Sequence, residues 1–160
     1  MRVLTSLMIS ILGMGFPSIS TLNHDPFFIT AFAQHTAKAN EFSFKLASTG
    51  SELFIGGKDA SKYTGAVEFH HLSSTIGYWQ LGGAKALVGG TTVVSGFQTI
   101  IDTGTTIMFG PPDQVAAVYA KIPGSALFDT KNGFYSFPCN SLPAISLNWG
   151  GKNWPISTHK

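Results

Sequence analysis

The sequence predicts a mostly β protein with two short helices, and three features of its composition and pattern support this. Charged residues make up 11% of the 160-residue chain, against about 25% in an average soluble domain. Glycine occurs 18 times and separates short apolar segments rich in β-branched and aromatic residues, which is typical of strands joined by turns. Hydrophobic residues amount to 44%, enough to offset the entropy lost on folding, so we expect an ordered chain.

Short strands are predicted along most of the chain. Residues 41–46 (EFSFKL) alternate between apolar and polar, and residues 52–55 (ELFI) follow after a turn, so the two are predicted to form a β-hairpin. The same pattern predicts further strands at 65–71, 78–81, 85–88, 91–94, 134–137 and 145–148. Short strands at this spacing are typical of sandwich or barrel-like β domains.

Two helices interrupt the predicted strands. Residues 25–39 are predicted to be helical, with Asp25 as the N-cap and Pro26 in the first turn. The second helix is predicted over residues 111–122, which begin with two prolines and are followed by Pro123-Gly124. Their apolar faces are predicted to be Phe28, Ala31 and Phe32 in the first helix, and Val115, Val118, Tyr119 and Ile122 in the second.

The candidate chemistry lies in residues 99–110 (TIIDTGTTIMFG), where Asp102 stands between two apolar stretches. Gly104 lets the backbone approach the carboxylate closely, and the hydroxyls of Thr103 and Thr105 are hydrogen-bond donors. Such donors hold a carboxylate in a fixed orientation. We therefore predict that Asp102 lies at a bend buried between apolar strands, with its carboxylate held in a fixed orientation. The alternative is an ordinary turn, because Asp, Thr and Gly are all common turn residues.

Composition and motifs exclude several other classes of function. The net charge is +2 and the basic residues are scattered, so no nucleic-acid surface is expected. The five histidines lack metal-ligand spacing, and no Gly-Gly pair is followed by Gly-Lys-Ser/Thr, so neither a metal nor another cofactor is expected. We read the histidines as surface residues and the Gly-Gly pairs as turns. No apolar run reaches the roughly 20 residues of a membrane span, so no membrane partner is expected.

The segment around Asp102 resembles the second active-site loop of pepsin-like aspartic endopeptidases, especially the secreted fungal members. The resemblance continues in collinear order over about residues 11–158. The matching segments are ILGMGFPSIS (11–20), GSELFIGG (50–57), SKYTG (61–65), GYWQL (77–81) and LPAISLNWGG (142–151).

This resemblance implies a partial pepsin-like acid protease fold. Residues 1–10 do not match the family, residues 11–58 match a remnant of the first lobe with the inter-lobe strands, and residues 59–160 match an incomplete second lobe that carries the Asp-Thr-Gly-Thr loop. The implied partner is a peptide or protein substrate, and the implied location is outside the cell. The oligomeric state does not follow from the sequence.

The family hydrolyses peptide bonds with two carboxylates, one from each lobe, that share a proton around a water molecule. By resemblance, Asp102 is the second-lobe aspartate. Thr103, Gly104 and Thr105 support its loop, and Thr105 matches the threonine that ties the two active-site loops together. Thr106 lies where the family holds the substrate backbone.

The 160 residues contain no second Asp-Thr-Gly and no Asp-Ser-Gly. By resemblance, the first-lobe aspartate is expected upstream of Ile11, and the apolar strand that braces the Asp102 loop is expected downstream of Lys160. One carboxylate cannot act as both base and acid in this site, so the isolated chain is expected to be inactive.

Cys139 is the single cysteine and cannot form an internal disulfide. It is either a buried free thiol or half of a bridge whose partner is absent from this chain. The resemblance implies the second, since Cys139 matches the first cysteine of a second-lobe disulfide.

Residues 1–16 combine Arg2 with an apolar run, as in a secretory signal peptide. Because residues 1–10 do not match the family, we interpret them as a foreign exon or a mistaken start, and a real signal peptide is the alternative.

Two other hypotheses stay open. The chain could act as a homodimer, as retroviral proteases do with one Asp-Thr-Gly per chain, although the brace expected after Lys160 argues against this. It could also be non-catalytic, as a pseudo-enzyme or a peptide-binding fragment.

Overall fold

A computed structural model describes residues 12–157, which fold into two compact units that divide between Ala66 and Val67. This described part holds eight strands and two α-helices, so the predicted mostly β fold with two short helices is confirmed. The division into lobe regions 11–58 and 59–160 stays a prediction, and residues 1–10 lie outside the described part. Within residues 12–157, no helix combines the length and the apolar character that crossing a membrane requires.

Within residues 12–66, the first unit consists of one α-helix and one β-hairpin, flanked by two 3-10 turns. In chain order its elements are a 3-10 turn at Pro17–Ile19, helix α1 at Phe27–Ala33, strand β1 at Phe42–Lys45, strand β2 at Glu52–Ile55 and a 3-10 turn at Ala60–Lys62. Strand β1 pairs antiparallel with β2, with Phe42 opposite Ile55, so the predicted hairpin is confirmed.

Helix α1 is shorter than the predicted 25–39 at both ends. Pro26 is the N-cap residue, and no side chain caps the helix, so the predicted cap at Asp25 is wrong. The helix stops at Ala33 because His35 adopts a left-handed backbone with φ of 58°, and the hydroxyl of Thr36 donates to the carbonyl of Ala31 at 2.7 Å. A local side-chain bond of this kind replaces the helical one that would continue the element.

The core of the first unit is a small cluster of phenylalanines. Phe28 is 5% exposed and meets Phe42 edge-on, with ring centroids 4.9 Å apart. Phe42 in turn meets Phe44 at 5.9 Å. Aromatic pairs in this geometry stabilise a core beyond the area they bury. The predicted apolar face of α1 is right for Phe28 and Ala31 but wrong for Phe32, which is exposed.

The second unit is built around a four-stranded antiparallel sheet and a separate hairpin. Its elements are strands β3 at Gln80–Val88 and β4 at Thr91–Ile100, helix α2 at Pro112–Tyr119, and strands β5 at Ala126–Asp129, β6 at Phe134–Ser136, β7 at Ile145–Asn148 and β8 at Trp154–Pro155. The sheet order is β4-β3-β7-β8, and β5 pairs with β6. Helix α2 contacts β3 and β4.

The longest pairing in the second unit joins β3 to β4 through Gly89-Gly90. Both glycines have positive φ, 58° and 79°, which is the backbone that a two-residue hairpin turn requires. The prediction that this Gly-Gly pair forms a turn is therefore confirmed. The prediction is wrong for Gly82-Gly83, which lies inside β3 at an irregularity of the pairing, so the predicted strands 78–81 and 85–88 belong to one strand.

Residues 65–71 form no strand, contrary to prediction. In the described chain, the nearest sheet contact is an isolated bridge between Leu72 and Leu81. The side chain of Phe69 is 81% exposed. Glu68 and His70 instead bind each other through their side chains at 2.6 Å. The local polar contacts of this segment therefore replace sheet pairing.

The core of the second unit is small and draws on strands β3 and β7 and on the chain just after α2. Its buried residues are Ala84, Ala86, Leu87, Ile122 and Asn148. Ile122 is 3% exposed although α2 ends at Tyr119, three residues before it. The Tyr119 ring stacks on Tyr135 of β6 with centroids 4.6 Å apart, which anchors the hairpin to the helix end.

Replacing Phe28 with alanine should lower the free energy of unfolding of the first unit by about 3 kcal/mol, because it leaves a cavity under α1. Urea unfolding followed by circular dichroism measures this. The matched control is Phe27→Ala on the same helix, where the side chain is 49% exposed and the loss should stay below about 1 kcal/mol. Equal losses in the two variants would contradict the packing described for Phe28.

Candidate active site

The loop that carries Asp102 leaves the sheet at the end of β4. Beyond Ile100, the backbone N–H of Ile101 still donates to the carbonyl of Trp79 at 2.9 Å. The pairing of β4 with the chain before β3 therefore continues to the residue that precedes the aspartate. This backbone bond limits where Asp102 can lie, because the chain is held until the turn begins.

The far end of the loop rests on helix α2. A Cβ atom at Gly110 would lie 3.1 Å from Cγ2 of Val115, so the glycine packs directly on the first turn of the helix. Pro112 opens that helix and Asp113 lies in its first turn, as predicted. The loop between Ile101 and Gly110 is thus anchored on a strand at one end and on a helix at the other.

Two donors from the loop itself hold the Asp102 carboxylate. The backbone N–H of Gly104 donates to Oδ1 at 2.8 Å, and the hydroxyl of Thr105 donates to Oδ2 at 2.5 Å. A Cβ atom at Gly104 would come within 3.2 Å of Oδ1, so the absence of a side chain lets the amide approach. The predicted support of Asp102 by Gly104 and Thr105 corresponds to these two contacts.

These hydrogen bonds lower the pKa of Asp102 below its ordinary value of 3.8. The bond from the Thr105 hydroxyl is the larger cause and the bond from the Gly104 amide the smaller, while slight desolvation opposes both. Both donors favour the charged carboxylate. The ionised carboxylate is therefore the form of Asp102 that these contacts stabilise.

The surroundings of Asp102 are exposed, and the predicted burial between apolar strands is wrong. Every residue from 101 to 113 is exposed. The exposed apolar patch, as we call the apolar residues that flank Asp102 in the chain, consists of Ile100, Ile101, Ile107, Met108 and Phe109, and Phe109 is 76% exposed. Within the described part of the second unit, no element buries these side chains. Apolar residues concentrated in one place mark a contact surface more often than a solvated one.

Thr103 and Thr106 are exposed in the same loop as Asp102. The predicted substrate-binding role of Thr106 and the supporting role of Thr103 stay predictions. The predicted role of Thr105 in tying two loops together also stays a prediction, because in this structure its hydroxyl binds the carboxylate of its own loop.

Two other aspartates with lowered pKa, Asp59 and Asp129, serve local contacts. Asp59 accepts the N–H of Ser61 at 2.8 Å, and Asp129 accepts the N–H of Lys131 at 2.9 Å, so each closes a turn. Among the described residues, no group of three or more His, Cys, Asp or Glu side chains is arranged to hold a metal ion.

Cys139 is an exposed free thiol, so its interpretation as a buried thiol is wrong. It borders an apolar cavity of about 310 Å³ together with Phe137, Leu142, Pro143, Ile145, Ile156 and Ser157. A disulfide to a cysteine outside this chain stays a prediction.

Two contacts that support the site had no signal in the sequence. One is the backbone bond from Ile101 to the Trp79 carbonyl. The other joins the Trp149 indole N–H to the Thr99 hydroxyl at 2.8 Å, which ties the turn after β7 to the end of β4. Both join residues far apart in the chain, so only the sheet topology shows them.

Replacing Thr105 with valine should raise the pKa of Asp102, because it removes the larger of the two causes that lower it. A ¹³C NMR titration of the Asp102 carboxyl measures the change. The matched control is Thr106→Val, one residue further along the same loop, which should leave the pKa of Asp102 unchanged.

The same interactions contribute stability above the ordinary Asp pKa of 3.8, and this contribution is lost as pH falls through the lower pKa of the folded chain. An unchanged Asp102 pKa in Thr105→Val would contradict the assigned hydrogen bond.

Comparison with known proteins assigns the chain to a family. A family model described as eukaryotic aspartyl protease matches residues 3–160, beginning inside the segment 1–10 that sequence analysis set apart. An aspartic protease from Phaffia rhodozyma is 39% identical over 152 residues, which cover 91% of this chain and 37% of that protein.

Cathepsin D from Bos taurus is 35% identical over 157 residues, covering 92% of this chain and 39% of the relative. Cathepsin D from Homo sapiens is 36% identical over 157 residues, covering 92% of this chain and 37% of that relative. The chain thus spans less than two-fifths of the length of these relatives. The similarity extends along the chain and includes the Asp-Thr-Gly-Thr loop whose geometry is described above. This chain therefore belongs to the eukaryotic aspartyl protease family.

Proposed function

We propose that this chain supplies one of the two catalytic aspartates of an aspartic endopeptidase, with Asp102 in that role. The observation that carries the proposal is the carboxylate at the end of β4, ionised and oriented by the Gly104 amide and the Thr105 hydroxyl. A carboxylate held in this way can take a proton from water as the water attacks a peptide carbonyl. The substrate is a peptide or protein, Thr106 is proposed to bind its backbone, and no cofactor is required.

The reaction requires a second carboxyl group that gives a proton while Asp102 receives one. The 160 residues hold a single Asp-Thr-Gly motif, and Asp59 and Asp129 are occupied in turns. We therefore propose that the isolated chain is inactive and that activity depends on a carboxyl group from another polypeptide or from a longer form of this one. Secretion of the protein stays a prediction from its sequence.

A chimera tests the role of Asp102 directly. The 160 residues would replace the corresponding part of the Phaffia rhodozyma aspartic protease, and turnover of a fluorogenic peptide would be measured at acidic pH with and without a pepstatin-type inhibitor. We expect inhibitable turnover. In this chimera Asp102→Asn should reduce the rate roughly 10³-fold, because it removes acid–base chemistry.

The matched control is Asp113→Asn, an exposed aspartate in the first turn of α2, which should change the rate by less than about twofold. A chimera that keeps its activity in Asp102→Asn would refute the catalytic assignment. The isolated chain, assayed in parallel, should show no inhibitable turnover. Peptide binding by both proteins without any turnover would favour the non-catalytic alternative.

One observation favours a homodimer as the second candidate. The exposed apolar patch flanks Asp102 on both sides in the chain, so two copies that bury it against each other would bring two Asp102 carboxylates near each other. Sedimentation equilibrium of the isolated chain over a range of concentrations tests this alternative. A dimer with inhibitable activity that Asp102→Asn abolishes would support it, and a monomer at all concentrations would remove it.

A further inference from the structure

The Glu68 carboxylate joins the loop before β3 to the turn between β7 and β8. Its Oε2 accepts the backbone N–H of Lys152 at 2.8 Å, and its Oε1 lies 2.6 Å from Nε2 of His70. The side chains of Glu68 and His70 are 16% and 23% exposed, so both are partly shielded from water. Glu68 and Lys152 are 84 residues apart in the chain, and both belong to the second unit.

The turn is shaped to receive this carboxylate. A Cβ atom at Gly151 would overlap the carboxylate of Glu68, so a side chain at this position would displace the carboxylate from its contact with the turn. The buried Asn148 amide holds the rest of the turn by donating to the carbonyls of Gly151 and Lys152 at 2.9 Å and 3.2 Å. Asn148 also accepts the N–H of Gly150 at 2.7 Å. Within this network Glu68 is the only titratable acceptor.

The turn also reaches the strand that carries the candidate site. Trp149, inside the turn, donates its indole N–H to Thr99 near the end of β4. The ring of His70 lies 6.3 Å from the Trp149 ring. Glu68 therefore holds a turn whose tryptophan is hydrogen-bonded three residues before Asp102.

We propose that Glu68 is an acid-sensitive latch, whose carboxylate holds the turn at residues 148–153 against residues 67–70 and releases it when the carboxylate is protonated. The residues that face Glu68 are Lys152 and His70. Lys152 lies on the turn and contributes its backbone amide and its side-chain charge, whereas His70 lies on the same segment as Glu68. A protonated carboxyl group is a weaker acceptor than a carboxylate, because charge-assisted hydrogen bonds are roughly twice as strong as neutral ones. This inference does not depend on the proposed peptidase activity.

The direction of the pH dependence follows from the contacts. The Lys152 amide, as the largest cause, and the His70 side chain lower the pKa of Glu68 below its ordinary value of 4.5, while desolvation opposes them. The latch therefore stabilises the turn above this value, and its contribution is lost as pH falls through the lower pKa of the folded chain. The latch is closed in neutral solution and opens in acid.

Amide hydrogen exchange at Lys152 tests the latch in the 160-residue chain. At pH 6 the Lys152 amide should exchange roughly fivefold faster in Glu68→Gln than in the wild type, because the variant keeps the shape but loses the charge. In strong acid the two rates should converge, because both acceptors are then neutral. The control is Glu52→Gln, whose carboxylate pairs with Lys62 at 3.8 Å in the first unit and which should leave Lys152 exchange unchanged.

A second pair of variants and a titration keep the proposal testable if Glu68→Gln folds poorly. Gly151→Ala should speed Lys152 exchange at pH 6 by displacing the carboxylate, whereas Gly13→Ala, which meets no atom within 4 Å, should not. In the wild type, the Lys152 amide resonance should shift with the titration of the Glu68 carboxyl. Equal exchange in Glu68→Gln and wild type at pH 6, or a Lys152 resonance that ignores the Glu68 titration, would overturn the proposal.

Discussion

Asp102 lies where it does because β4 stays paired with β3, and then with Trp79, up to the residue before the aspartate. The hairpin turn at Gly89-Gly90 sets the register of that pairing, and the bond from the Ile101 N–H to the Trp79 carbonyl is its last backbone hydrogen bond. Beyond this bond the chain is free to turn, and Gly110 stops it against α2. The geometry of the candidate site is therefore a consequence of sheet pairing more than of packing around the carboxylate.

The electrostatic state of Asp102 follows from donors in its own loop. A backbone amide and a hydroxyl stabilise the anion, and the exposed position adds little desolvation to oppose them. Such a carboxylate suits the part of a base that receives a proton from water. A proton donor requires the opposite environment, with burial or a second negative charge raising its pKa. The observed environment thus fits one half of a two-carboxylate mechanism.

An unusually large number of apolar side chains lie outside the two small cores. The patch around Asp102 is exposed, although the sequence there is strongly apolar. Burial of such residues is the main driving force for folding and association, so exposed apolar residues beside the candidate carboxylate favour a contact surface there. The contact of Glu68 is of a different kind. Its carboxylate, which packs on Gly151, joins segments 84 residues apart through a hydrogen bond and without an apolar core.

The sequence by itself determined the fold class, the hairpin of β1 and β2, helix α2 and the identity of the candidate carboxylate. These features are local, since alternation, prolines and the Asp-Thr-Gly-Thr motif act over a few residues. The end of α1 at Ala33 follows from the local backbone of His35 and the hydroxyl bond of Thr36, which the apolar pattern does not carry. Tertiary structure decided the loop at residues 65–71 and the exposure of the Asp102 flanks. It also decided the contacts of Trp79, Trp149 and Glu68. These tertiary features depend on which distant segments of the chain meet. The local pattern of apolar and polar residues carries no information about those contacts.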